Sequence, residues 1–335
     1  MEPHILGIIA NPASGKDIRR LVAHAAVVTD AAKRGILRRL LSGVAASGPL
    51  HVQYLPGPHR LVEEALHGLT PELRAEPLPI DLTDSAHDTR AAACLLRQRG
   101  AGAVVVLGGD GTCRAAAVAW PEIPLLPLST GTNNVFPLAC EPTIAGLAAG
   151  LVASGRVPLL AAAHQYPSIH VEIDGEPPDL ALVDAALVQG QFSGTRAVWK
   201  PAELLAALLL RSDPAVTGLA AIGGMLGLPE PAAGALALEF GEPGHTVRVP
   251  LAPGLVVPIP VRSHRPIPFG EPIEWYGPGI LALDGERERR LLPGQRARLL
   301  PCSRGPLVLE PGRILRRAAA AGLFAEASPG ANHGH

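Results

Sequence analysis

Residues 103–120 read AVVVLGGDGTCRAAAVAW. The opening run Ala103-Val104-Val105-Val106-Leu107 is unbroken, apolar and largely β-branched. It predicts a central strand of a parallel sheet, covered on both faces. Gly108-Gly109-Asp110-Gly111-Thr112 follows at once. Three glycines in four residues carry little side-chain bulk, so their backbone N–H groups can approach a ligand closely. Thr112 and the Ala-rich segment behind it read as a helix. A strand, a glycine turn and a helix N-terminus in succession make an anion site, with the positive end of the helix dipole at the turn.

Asp110 is the residue that a simple anion site does not explain. A carboxylate about 4 Å from a bound phosphate is repelled by about 1 to 4 kcal/mol, depending on the local dielectric. A turn that only held phosphate would do better with Ser or Asn. The carboxylate makes sense if a metal ion bridges it to phosphate, or if it accepts a proton from an attacking hydroxyl. Both roles belong to phosphoryl transfer. The plainer alternative is a strand-to-helix turn with an acid in the first helical turn.

Upstream, residues 5–10 are strand-like and end in Asn11-Pro12-Ala13-Ser14-Gly15-Lys16-Asp17. Asn-Pro stops the strand and starts a turn. Ser14, Gly15 and Lys16 offer a hydroxyl, a close-approach backbone and an ammonium. The spacing is not that of a P-loop, which needs a glycine where Ala10 stands and Ser or Thr where Asp17 stands. Asp17 can cap a helix over 18–22. Residues 31–47 read as an amphipathic helix, 50–55 as a strand, 77–82 as another. Asp88 is a candidate N-cap for a helix over 90–99. Residues 123–128 form a strand that runs into a second polar turn, Ser129-Thr130-Gly131-Thr132-Asn133-Asn134. This alternation predicts an α/β domain with a doubly wound parallel sheet over residues 1–156. Ligands in such sheets sit outside the carboxyl ends of the strands, so the turns after Ala10, Leu107 and Leu128 can line one crevice.

The pattern changes after residue 157. Strand-like pieces at 169–173, 180–188, 235–240, 254–261, 280–283 and 307–309 alternate with Gly and Pro turns, and helical patterning persists around 201–210. This predicts a second, mostly-β domain over 157–312. A helix over 313–324 is expected to pack back on the first domain, and 325–335 reads as a disordered tail. Within the second domain, Asp284-Gly285-Glu286 is either a hairpin turn, since Asp-Gly favours one, or a pair of carboxylates near the inter-domain cleft.

The 335 residues suffice for two domains with their own cores. With 47% apolar and 18% charged residues, most of the chain is expected to fold. A net charge of −1 without basic blocks argues against nucleic-acid binding. Cys94, Cys113, Cys140 and Cys302 are scattered and form no CxxC pair, which fits a reducing cytoplasm. No apolar run reaches the roughly 18 residues of a membrane span. Residues 1–10 read as the first strand, not as an export signal.

Taken in order, Asn11 to Lys16, Gly108 to Thr112, Gly131-Thr132-Asn133 and Asp284-Gly285-Glu286 resemble the superfamily of NAD kinases and diacylglycerol or sphingosine kinases. Finer detail, including Gly15 to Arg20, Asp88-Thr89, Ser129 to Phe136, Arg196 to Trp199 and Leu281 to Glu288, resembles the ATP-NAD kinase branch that contains acetoin catabolism protein X. The similarity runs from about residue 5 to 312. It implies a nucleotide in the cleft between an α/β domain and a β-rich domain. It implies that Gly108, Gly109, Gly111 and Thr112 hold ATP phosphates, and that Asp110 acts on the acceptor hydroxyl, directly or through Mg²⁺ or another divalent cation. Asn11, Ser14, Gly15, Lys16, Thr130, Gly131, Thr132 and Asn133 would line the nucleotide site. Asp184, Asp284, Gly285 and Glu286 would approach it from the second domain; for Arg196 and Trp199 two readings stand, a phosphate contact and a base stack, or structural roles. The reaction so implied is ATP-dependent phosphorylation of a hydroxyl, first of all the 2′-OH of NAD to give NADP, by a homo-oligomeric enzyme. The alternatives are a lipid or small-alcohol kinase and a catalytically silent nucleotide-binding protein. One departure bears on the acceptor. NAD kinases usually carry Asn followed by an acid where this chain has Val183-Asp184, and valine offers neither donor nor acceptor.

Overall fold

A computed structural model describes residues 4–11, 28–69, 73–130, 134–190 and 201–325. Ser14, Gly15, Lys16, the Asp17 cap, the helix over 18–22, Gly131, Thr132, Asn133, Arg196, Trp199 and the tail from 326 lie outside the described residues.

The first layer is built from β1 (Ile5–Ala10), α1 (Asp30–Ala46), β2 (His51–Tyr54), α2 (Leu61–Leu66), β3 (Arg74–Pro77), α3 (Ala86–Gln98), β4 (Ala103–Gly108), α4 (Asp110–Ala119), β5 (Pro124–Ser129) and α5 (Pro142–Ala153). The five strands are parallel, in the order β3-β2-β1-β4-β5. Winding therefore starts at β1, moves outward to β3, then crosses back to β4, so the order reverses between β1 and β4. The unbroken apolar strands serve both faces of the sheet. Leu6, Ile8, Val105 and Leu107 pack under α1 and α5, while Ile5, Ile9, Val104 and Val106 pack under α3 and α4.

Local signals set the helix ends. Thr29 caps α1 by accepting from the Ala32 N–H (3.2 Å). Ser85, not Asp88, is the N-cap of α3, accepting from His87. Asp88 sits one turn in and accepts from the N–H and hydroxyl of Thr83 (2.9 and 2.6 Å), a variant of the capping box. The strand expected at 77–82 lies earlier, at β3. Pro77 and Pro79 lack the N–H that a ladder needs, and only Leu78 continues the pairing, donating to the Tyr54 carbonyl (2.8 Å).

Beyond α5 come α6 (Leu159–Ala162), β6 (Ala163–Gln165), β7 (Ser168–Ile173), β8 (Asp179–Ala181), β9 (Asp184–Val188), β10 (Leu204–Leu209), α7 (Ala220–Met225), β11 (Gly234–Ala252), β12 (Leu255–Pro268), β13 (Ile273–Tyr276), β14 (Gly279–Leu283), β15 (Glu286–Leu291) and β16 (Arg296–Cys302). Two antiparallel sheets form, β12-β11-β10-β9-β14-β15 and β13-β16-β7-β8. Val171, Leu208, Leu281 and Leu299 belong to the core they share. The helical expectation for 201–210 is overturned. Its Leu- and Ala-rich sequence has high helix propensity, but β10 is clamped between β9 and β11, and pairing outweighs propensity.

The chain then returns to the first sheet. β17 (Leu307–Leu309) pairs in parallel with β5 and antiparallel with β6, extending that sheet to seven strands. α8 (Pro311–Ala320) buries Ile314 and Ala318 in the same core as α1 and α5. The parallel α/β domain and the mostly-β domain are thus joined by two crossings, one ahead of β7 and one after β16. Among the described residues no helix is long and apolar enough to cross a membrane.

The packing of α1 on α5 is set by glycine. A Cβ on Gly146 would lie 1.9 Å from the Leu40 carbonyl oxygen, and one on Gly43 would lie 2.1 Å from that of Thr143. Gly35, on the same α1, has nothing nearer than 3.9 Å. Opposite signs are therefore expected from one chemical change. Gly146→Ala should cost about 1–3 kcal/mol through overpacking, whereas Gly35→Ala should gain up to about 1 kcal/mol in helix propensity. Chemical denaturation of the two variants checks this.

Candidate active site

The carboxyl ends of β1 and β4 meet where the strand order reverses, the position at which open α/β sheets bind ligands. Asn11 leaves β1 there. Its N–H donates to the Leu107 carbonyl (3.1 Å), and its side-chain amide donates to the Thr112 hydroxyl (2.9 Å). Below it, the fully buried Lys33 reaches the Asn11 carbonyl with its ammonium (3.4 Å). Gly108 and Gly109 leave no room for a side chain. A Cβ would lie 2.7 Å from Thr112 Cβ in the first case and 2.8 Å from Asn134 Oδ1 in the second. The Thr112 and Cys113 N–H groups both turn back on the Gly109 carbonyl (3.1 Å each). The amides that an anion would meet at the start of α4 are therefore those of Asp110 and Gly111.

Asp110 opens α4, and its carboxylate ties the third turn to the second. It accepts from the Val135 N–H (3.1 and 3.2 Å) and the Phe136 N–H (2.9 Å). Asn134 in turn donates to the Ser129 hydroxyl (2.8 Å), and Thr130 is buried beside it. Asn11, Gly108 to Thr112, and the described part of the 129–134 turn are thus brought together. The Phe136 ring packs edge-on against Tyr166 (centroids 4.7 Å apart), whose hydroxyl accepts from Arg211 (2.8 Å).

The second domain adds a hairpin. Asp284 and Gly285 link β14 to β15 with φ of 51° and 76°, the left-handed pair of a two-residue hairpin turn. The turn and carboxylate readings are both realised, but the two acids do different things. Glu286 lies over the glycine turn, its Oε1 only 3.1 Å from where a Cβ on Gly111 would stand. Asp284 faces inward, with its side chain fully buried. Its Oδ1 accepts from the N–H groups of Leu182, Val183 and Asp184 (3.0, 2.8 and 3.3 Å). This clamp sits at the break that splits the strand expected over 180–188 into β8 and β9, which join different sheets. Asp184 is buried at the start of β9, and its carbonyl accepts from the Asp284 N–H (2.9 Å).

The chain was compared with known proteins. Residues 6–157 match the model of the ATP-NAD kinase N-terminal domain, and residues 167–303 match that of the acetoin catabolism protein X C-terminal domain. Acetoin catabolism protein X of Cupriavidus necator is 39% identical over 303 residues, covering 85% of this chain and 84% of that protein. The chain belongs to the acetoin catabolism protein X family. Its N-terminal half is of NAD kinase type, and its β-rich half matches that family's C-terminal domain.

In this acetoin catabolism protein X family member, Val183 has no side-chain donor or acceptor to offer a ligand. Val183 is 1% exposed and packs in the core between the domains. Its N–H is held by Asp284, and its carbonyl accepts from Leu210 (2.9 Å). Arg114, Asn134, Tyr166 and Arg211 were not singled out as site residues by the sequence reading. Arg114 carried a signal, as the only charge between Asp110 and Trp120. It is buried and bridges α4 to Asp179 (3.1 Å) and Asp284 (3.8 Å).

Burial pushes the Asp284 carboxyl up to about 7, against the opposing pull of Arg114 and the Val183 and Leu182 amides, with Asp110 adding to the rise. Burial, with Asp110 and Asp284 nearby, also drives the Cys113 thiol well above its usual range, so it is no nucleophile at neutral pH. For Asp284 the folded state holds a proton that the unfolded chain releases above about pH 4. Its contribution to stability is full below about pH 4 and is lost as the pH rises through 7, by up to about 1.4 kcal/mol per unit. The parent should therefore lose about 2.5 kcal/mol of stability relative to Asp284→Asn between pH 5 and pH 8. Denaturation curves at the two pH values measure it.

Proposed function

We propose that the chain transfers the γ-phosphoryl group of ATP to a hydroxyl group held between the two domains. The observation that carries this reading is Glu286 of the second domain standing over Gly111, next to Asp110 in the glycine turn that opens α4. Gly108, Gly109, Gly111 and Thr112 would cradle the phosphates. Ser14, Gly15, Lys16, Gly131, Thr132 and Asn133 would complete the nucleotide site, with Asn11 and Thr130 supporting it. Asp110 would take the proton of the attacking hydroxyl as its oxygen bonds to the γ-phosphorus and the bond to the leaving ADP oxygen breaks. Positioning and charge neutralisation would supply most of the rate.

A divalent cation suits this donor set. Mg²⁺ is commonly held by one or two carboxylates together with substrate phosphates, and Asp110 and Glu286 supply two. Such an ion would neutralise phosphate charge. Among the described residues no group of three or more His, Cys, Asp and Glu forms a metal cage.

The acceptor that the family resemblance puts first is the 2′-OH of NAD. The burial of Val183 favours another hydroxyl-bearing molecule, because the amide that would read the dinucleotide is missing and its place is closed. Purified protein incubated with ATP, Mg²⁺ and NAD, with NADP read by an NADP-specific enzyme, tests the first acceptor. Transfer of labelled phosphate to diacylglycerol and to small alcohols tests the second. With whichever acceptor is turned over, Asp110→Asn should lower kcat by at least about 10²-fold while ATP binding survives. Turnover by that variant equal to the parent's would remove Asp110 from the chemistry.

A further inference from the structure

We propose that Arg114 is the positioning residue that fixes the second-domain hairpin, and with it Glu286, against the glycine turn. The effect on nucleotide binding rests on the function proposed above; the mechanical coupling does not. Arg114 lies one helical turn beyond Asp110 on α4, so the backbone that places Gly111 also places its guanidinium. The group crosses the domain boundary in two directions. Nη1 donates to Asp179 Oδ1 at the start of β8 (3.1 Å), and Nε lies 3.8 Å from Asp284 Oδ2. Both carboxylates are anchored on their far sides. Asp179 binds Arg289 of β15 (3.2 Å), which also holds Glu176 (3.2 Å). Asp284 binds the amides of the β8–β9 break.

The hairpin that carries Glu286 is therefore gripped through Asp284 at its turn and through Arg289 further along β15. Both grips lead back to Arg114. A planar fork can address two carboxylates in fixed directions, which an ammonium cannot. The competing account is that Arg114 only offsets buried charge. The two accounts part when charge is balanced but the fork is absent.

Two variants and two readouts separate them. Arg114→Lys keeps the charge and loses the fork. Arg114→Met combined with Asp284→Asn removes one charge of each sign. Hydrogen exchange of the Leu182, Val183 and Asp184 amides reports the clamp, and calorimetry with ATP and Mg²⁺ reports the site. In Arg114→Lys the amides should exchange at least tenfold faster, and ATP affinity should fall at least fivefold. The double variant should regain stability without regaining affinity. Parent-like exchange in Arg114→Lys, or a double variant that recovers both stability and affinity, overturns the proposal. If the parent itself binds no ATP, the proposed function fails, and the exchange comparison alone decides the role of Arg114.

Discussion

A carboxylate shut away from water needs donors, and Asp284 finds them in the backbone of another strand. Burying an unpaired carboxylate costs several kcal/mol. The amides of Leu182, Val183 and Asp184 turn toward it. Amides spent there are not available to a ladder, and β8 and β9 part at this point into separate sheets. The same residue makes the left-handed turn that reverses the chain into β15 and brings Glu286 over Gly111. One side chain thus both binds the β8–β9 break and begins the turn that leads to Glu286.

The two domains then divide the work by chemistry. The turn after β4 in the parallel domain carries little bulk, and a Cβ on Gly108 or Gly109 would lie 2.7 Å from Thr112 or 2.8 Å from Asn134. The β-rich domain supplies an acid and closes the wall with apolar side chains. Leu180, Leu182, Val183 and Ala220 share a core with α3 and α4. One polar strut crosses this apolar contact, Arg114 to Asp179 and Asp284, and the Phe136 ring packs on Tyr166, whose hydroxyl accepts from Arg211.

Much of the fold was legible because its signals are local. The β-branched run at 103–107, the glycines after it and the alternating strands and helices of residues 5–154 each announce themselves within a short window. The largest error is not local in origin. The segment 204–209 has helical composition but pairs with the strands before and after it across intervening segments of 15 and 24 residues, and no pattern within the segment reports such pairing. Asp284 and Glu286 look equivalent in sequence. Their opposite directions follow from the alternation of side chains across a hairpin and from a partner a hundred residues away. Arg114 was visible as an isolated charge in an apolar helix, but its two partners were not.

The central claim is that the Gly108–Thr112 turn and Glu286 together receive the phosphates of a nucleotide. A crystal structure with a non-hydrolysable ATP analogue and Mg²⁺ tests it most directly. The account predicts phosphate oxygens on the amides at the start of α4, with Asp110 and Glu286 on either side of the same phosphate group. A nucleotide bound elsewhere, or bound at the turn with Glu286 directed away from it, would contradict the account.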